Sequence, residues 1–307
     1  MVNWVTPLWQ YSAQGDIIAI QMLFSSGRAS PVDVNAYGQS ALHYAADTAC
    51  IELCRFLVRC NADMYLRDEN GRRPIDYAWD GILSNKIGDQ ASSELSTIFS
   101  DGEYLETRQF TSVHKTLLGL HSSSLEDQLA LSNAQIDAAD ASGRTCLCWA
   151  AARGDAAAVR TLLDHGANQA IPDMEGCIPL FHAVRSHVRE CVELLVRKTP
   201  DPSAVNAYGG TALHASYMGG VDDPGLVRVL LEQGRFDVNL IEFDGDTALN
   251  SAARAGLEGI ARLLLDSGAD PAIANAAGDT TLHMAVYWRS LGVLGALVEH
   301  GADFNFY

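Results

Sequence analysis

Lysine is nearly missing from this 307-residue chain: of 21 basic side chains only Lys86, Lys115 and Lys198 are lysine, leaving 18 arginines. Positive charge is scarce altogether, because 38 acidic residues give a formal net charge of −17. Nonspecific nucleic-acid binding depends on cations that neutralise phosphates, so that function class is excluded, and the acidity reads as a solubility device. No stretch approaches the ~18 apolar residues of a membrane span, and residues 1–15 lack a charged start followed by an apolar run. An intracellular protein, cytoplasmic or nuclear, with no membrane partner is expected. Catalytic signatures are also missing: there is no Gly-Lys-Ser/Thr phosphate loop, no Gly-x-Ser-x-Gly elbow and no His-Glu-x-x-His zinc motif. Seven cysteines without a secretory leader point to reduced thiols and no disulfides.

What the chain has is self-similarity. Ser40-Ala-Leu-His43, Thr211-Ala-Leu-His214, Thr247-Ala-Leu-Asn250 and Thr280-Thr-Leu-His283 keep one register, and units begin at Thr6, Ser40, Arg73, Thr111, Thr145, Ile178, Thr211, Thr247 and Thr280. Spacings of 33 or 34 predominate, with five added residues near 100–110 and three near 219–225. Both additions fit loops, and Asp223-Pro224 reads as cap and first-turn residue of a helix. A single array over residues 1–307 is expected, irregular across 100–120, where Leu118-Gly119-Leu120 departs from the pattern.

These units resemble the ankyrin-repeat family, whose repeat of about 33 residues carries Thr-Pro-Leu-His-x-Ala; Thr6-Pro7-Leu8-Trp9 and Pro179-Leu180-Phe181 are variants of it. The resemblance implies an all-α solenoid of stacked helix pairs with β-hairpin or loop fingers. Each element has a physical reason. Thr caps the first helix, Pro suits its first turn, Leu enters the core, and pairs such as Ala45-Ala46 and Ala252-Ala253 allow close packing. Gly38, Gly143, Gly176, Gly209, Gly245 and Gly278 each stand two residues before the next cap and mark the turn between repeats. The array stops at Phe304-Asn-Phe-Tyr307 without a polar capping helix pair, which is expected either where a longer protein continues or where these aromatics fold back as a minimal cap.

For His43, His114, His214 and His283, at the signature position, the resemblance implies a structural hydrogen bond rather than chemistry. Cys146 and Cys148 with Cys177 and His182 offer zinc-type ligands, but their spacing matches no zinc motif, so they read as core. No metal and no cofactor is expected.

Residues seven and eight past each cap should face the concave groove. They run from Asp47/Thr48 and Asp80/Gly81 through Leu118/Gly119, Ala152/Arg153, Arg185/Ser186 and Met218/Gly219 to Arg254/Ala255 and Tyr287/Trp288, from acidic to basic and aromatic. Arg144, Trp149, Arg153, His182, Arg185, Tyr217, Arg254, Tyr287 and Trp288 are therefore the candidate groove residues, with Arg153 and Arg185 placed to share an anionic group. The competing expectation pairs the arginines with Asp155, Asp173 or Glu175. Tyr37, Tyr208 and Phe243 are candidate finger-tip contacts. A protein or peptide, with an acidic group, is the expected partner. The alternative is an enzyme that uses the C-terminal half of the groove as a pocket for a small anionic or aromatic molecule, with Arg153, Arg185, Trp149, His182, Tyr217, Tyr287 and Trp288 as wall or acid/base groups. No catalytic residue is assigned.

Overall fold

A computed structural model describes residues 7–84, 87, 89–100, 104–218, 220–234 and 236–302. Thr6, Gly219 and residues 304–307, invoked above, lie outside them. The chain forms two compact units, Met1–Tyr104 and Leu105–Tyr307, divided within the 100–120 stretch where the spacing breaks.

Within each unit the helices come in pairs. The first unit holds Pro7–Gln14 with Ile17–Ser25, Ala41–Asp47 with Ile51–Arg59, and Pro74–Leu83 with Asp89–Ile98. The second holds Ser112–Leu117 with Leu125–Ser132, Cys146–Arg153 with Ala156–Asp164, Pro179–Ser186 with Arg189–Lys198, Ala248–Ala255 with Glu258–Asp266, and Thr281–Tyr287 with Leu291–Glu299. First helices pack on first helices and second on second, giving two layers in each unit. The leucine positions after each cap sit between the layers: Leu42, Leu147, Leu180, Leu213 and Leu249 are wholly buried. Each such side chain contributes about 1.5–3 kcal/mol by leaving water.

Caps and glycines set the boundaries. Thr145 accepts the Cys148 amide at 3.3 Å and Thr247 the Asn250 amide at 3.1 Å, while Gly154 and Gly256, at φ 67° and 72°, close the same helices in the left-handed region. Thr211 is the exception. Its Ala-Leu-His sequence predicts a full helix, yet only a 3-10 turn, His214–Tyr217, forms before Pro224–Gly234. Ser216 Oγ donates back to the Leu213 carbonyl at 2.7 Å and the chain turns extended at Met218, so the ladder does not propagate. In the insertion that follows, Asp223 accepts the Leu226 amide at 3.1 Å, as its Asp-Pro sequence predicts.

The fingers are simpler than β-hairpins. Among the described residues they close through single bridges, Val34 with Ser40, Ala139 with Thr145 and Ile241 with Thr247. Six repeats also carry an Asx residue five positions before the cap. Asn35, Asp68, Asp140, Asp173, Asn206 and Asn275 each accept the amides two and four residues on, at 2.8–3.0 Å, donors that a strand ladder would otherwise use. Gly143, at φ 77°, leaves room for the next finger: a Cβ there would lie 2.8 Å from the Met174 nitrogen, which bonds the Ser142 carbonyl at 3.0 Å.

Candidate functional site

The signature histidines are structural ties. His43 Nδ1 accepts the Ser40 amide at 2.9 Å, so Nε2 carries the proton and donates to the Arg72 carbonyl of the next repeat at 3.2 Å. His114 and His214 repeat this, reaching the Arg144 and Leu240 carbonyls at 3.1 and 3.0 Å. A second proton would face an N–H donor in a dry site, and burial holds all three below the usual imidazole range.

A second set of ties explains Trp149 and His182. The residue four past the cap reaches back to the finger-base Asx. Trp149 Nε1 donates to Asp140 Oδ2 at 3.1 Å and His182 Nε2 to Asp173 Oδ2 at 2.9 Å, as the Tyr77 hydroxyl donates to Asp68 at 2.8 Å. Arg108 Nη2 joins Asp140 at 3.3 Å, and Arg144 Nε lies 3.5 Å from Asp173 with its guanidinium carbon 5.1 Å from the Trp149 ring centroid. Burial would push the Asp173 carboxyl up, but His182, Arg144 and the Cys177 amide together hold it below the usual range; burial pushes His182 down.

Three expected groove residues are thereby corrected. Trp149 is wholly buried, and Arg144 and His182 nearly so, with Asp140 and Asp173 as their partners behind the helices rather than a ligand in front of them. Of the competing pairings, Arg144 with Asp173 forms. The signal was in the sequence as an Asx five residues before six of the eight caps from Ser40 onward, and it was missed because the period was anchored on the cap. The cysteines are likewise interior: burial pushes the Cys148 thiol up to about 11 and Cys177 to about 12, and Thr145 Oγ1 sits 3.5 Å from Cys148 Sγ.

Glutamate replaces the Asx at the other two of these positions, at Glu106, within the short helix Tyr104–Thr107, and at the finger base Glu242. One methylene longer, Glu242 does not close the Asx turn, although its backbone still meets Asp246. Its carboxylate approaches Asp244 and Asp246 within 4.8 Å, while Asp246 is committed to Arg254 and to Asn275 Nδ2 at 3.0 Å. Burial, then Asp244 and Asp246, pushes Glu242 up to about 7. Tyr217, half-buried, packs toward the same cluster.

The remaining candidates do reach the surface. Arg153 and Arg185 are half-exposed in the last turns of Cys146–Arg153 and Pro179–Ser186, which pack together. Tyr287 is 78% and Trp288 52% exposed, edge to face with centroids 5.5 Å apart. Tyr37, Tyr208 and Phe243 are exposed, and the Phe243 ring covers Gly209 of the finger before it. Leu118 and Ala152, also expected in the groove, are buried instead. Among the described residues no helix is long and apolar enough to cross a membrane.

Comparison with known proteins agrees with this architecture. The family profile for ankyrin repeats in three copies matches residues 119–206 and 198–275, and that for a single ankyrin repeat matches 37–69. An ankyrin repeat domain-containing protein, SAT10, of Stachybotrys chartarum is 34% identical over 55% of this chain and 8% of its own length. The nuclear factor NF-kappa-B p105 subunit of Gallus gallus is 30% identical over 54% of the chain and 17% of its own length. The B-cell lymphoma 3 protein homolog of Mus musculus is 28% identical over 77% of the chain and 53% of its own length. The chain thus spans at most about half of each of these relatives. Repeat period, internal ties and profile match together make it a member of the ankyrin-repeat family.

Proposed function

We propose that the chain is a protein-binding module that holds an acidic segment of its partner against the first helices of residues 105–307. Ankyrin repeats are generally protein-interaction modules, and the two interior sets of ties leave the seventh and eighth positions free to vary. One observation carries the acidic specificity. In two other repeats the seventh residue past the cap pairs with the residue just before it, Asp80 with Arg72 at 2.7 Å and Arg254 with Asp246. At Arg185 that place is taken by Cys177, and no ion pair or hydrogen bond involves the guanidinium among the described residues. A half-exposed, unpaired arginine on a rigid helix is suited to a forked contact with a carboxylate or phosphate. Seven unpaired thiols suit a reducing compartment, cytoplasm or nucleus.

Affinity capture from native extract followed by mass spectrometry identifies the partner, and Arg185→Ala tests the site. A partly desolvated, charge-assisted contact is worth about 1.5–3 kcal/mol, so affinity for the captured protein should fall roughly tenfold or more and weaken with salt. Arg28→Ala, at an exposed residue of the other unit, is the control. Undiminished binding by folded Arg185→Ala would move the contact to the finger tips Tyr37, Tyr208 and Phe243.

A further inference from the structure

The last repeat carries the opposite half of the same pair. Asp279 precedes the cap Thr280 as Asp246 precedes Thr247, but the seventh position, Arg254 in the earlier repeat, is Tyr287 here. Asp279 is half-buried, its backbone amide is taken by Asn275 Oδ1 at 3.0 Å, and no ion pair or hydrogen bond involves its carboxylate among the described residues. It lines a cleft of about 450 Å³ with His283, Met284, Val286, Tyr287 and Trp288. The nearest cation in sequence, Arg289, is not part of that wall. One carboxylate without a cation, two exposed aromatic faces and an apolar floor thus meet in a chain of net charge −17.

We propose that this cleft docks an arginine-bearing segment of a partner protein, with the guanidinium paired to Asp279 and lying on Tyr287 or Trp288. The chain displays the combination elsewhere: Arg72 pairs with Asp80 at 2.7 Å while its guanidinium carbon stands 3.9 Å above the Tyr77 ring centroid. In the last repeat the partner supplies the arginine that other repeats supply themselves. Carboxylate and aromatic face select the same group, since a guanidinium offers both a planar cation and parallel N–H donors. The surface rests on the protein-binding reading but is independent of Arg185, and it asks for charge of the opposite sign.

The test titrates ¹⁵N-labelled protein with the peptide Ac-Leu-Arg-Leu-NH2 and with its citrulline counterpart, which keeps the shape and loses the charge. The readout is the Trp288 indole N–H resonance, assigned by its disappearance in Trp288→Phe. A saturable shift is expected with the arginine peptide, with affinity about fivefold or more weaker for citrulline and for Asp279→Asn, as loss of one charge-assisted contact at a half-exposed site implies. Since the Asp279 side chain makes no hydrogen bond or ion pair among the described residues, that variant should fold normally. Equal shifts with citrulline, or unchanged affinity in Asp279→Asn, would overturn the proposal. So would a Trp288 shift that follows protein concentration alone, which assigns the face to a second copy, or binding seen only after removal of residues 303–307, which assigns it to the chain's own end. Arg185→Ala should leave the titration unaltered, so failure at either site is distinguishable from failure at the other.

Discussion

Asparagine in place of Asp140 and of Asp173 should separate two finger bases that look alike. Asp140 Oδ1 accepts the Ser142 and Arg144 amides at 2.8 and 2.9 Å, and Oδ2 accepts Trp149 Nε1 at 3.1 Å and Arg108 Nη2 at 3.3 Å. An asparagine has one accepting oxygen, so its NH2 must face either the amides or the indole, none of which accepts. Arg108, 4% exposed, also loses its carboxylate. A buried ion pair lost and a buried donor turned onto a donor together cost about 3–5 kcal/mol. At Asp173 the amides of Glu175 and Cys177 keep their oxygen, and His182 at 2.9 Å moves its proton to Nδ1 and accepts from the new NH2. Only the looser Arg144 contact at 3.5 Å is weakened, for about 1–3 kcal/mol. A difference of about 2 kcal/mol is roughly thirtyfold in an opening equilibrium. Amide hydrogen exchange at pH 7 reads it locally: protection of residues 142 and 144 in Asp140→Asn should fall about thirtyfold further than that of 175 and 177 in Asp173→Asn. Equal losses, or a larger loss at Asp173, would refute the tautomer argument.

Glu242→Gln should stabilise the chain at pH 8 and leave it unchanged at pH 4, measured as the urea midpoint. The folded carboxyl is raised from 4.5 to about 7, so its contribution is present below 4.5 and is lost as pH rises through 7; discounted for solvent reaching this half-exposed site, the gain is about 1–2 kcal/mol. The buried histidines act in the opposite sense. His43, His114, His182 and His214 are held below 6.5, so the unfolded chain binds more protons and stability should decline as pH falls below 6.5, more steeply in Glu242→Gln than in the native chain; a flat profile between pH 7.5 and 5.5 would contradict the buried ties. Gly143→Ala should cost about 2–3 kcal/mol, because φ is 77° and the new methyl meets the Met174 nitrogen at 2.8 Å; Gly27→Ala, at φ 67° with nothing within 4 Å, should cost about 1 kcal/mol, and equal thermal shifts would remove packing between fingers as the reason.

The scaffold was legible because it is repeated and local. A cap, a leucine and a left-handed glycine recur every 33 or 34 residues, and each constrains its own neighbourhood through backbone donors and φ. The 3-10 turn after Thr211 was not legible from the signature alone, since Thr211-Ala-Leu-His214 matches it while Ser216 and the extended backbone at Met218 stop the helix. The site was harder for a related reason. Trp149 and His182 share the fifth position of neighbouring repeats, which read as a ligand-facing stripe, yet their partners Asp140 and Asp173 lie nine residues back. Cap-based register says which side chains stand together on a helix, whereas their hydrogen bonds depend on how the finger folds under it. Arg185, Tyr287 and Trp288 stay at the surface because nothing at those finger bases claims them.

The pairing between the residue before the cap and the seventh residue after it supplies a last prediction, because the last repeat holds one half of it. Tyr287→Arg places a guanidinium where Arg254 stands one repeat earlier, opposite Asp279 instead of Asp246. The helix position is 78% exposed, so the substitution removes little buried area and the new pair should add only about 0.2–1 kcal/mol. That range overlaps the effect of simply losing an aromatic, and the single variant decides nothing. A double-mutant cycle with Asp279→Asn isolates the pair, since Tyr287→Arg should stabilise the native background and not the asparagine background, with a coupling that shrinks in high salt. Absence of coupling at low salt would show that Asp279 does not point across its helix as Asp246 does. With coupling, the rule extends to the last repeat, and the same substitution should close the cleft to an arginine from outside, because the carboxylate can satisfy its charge within the chain.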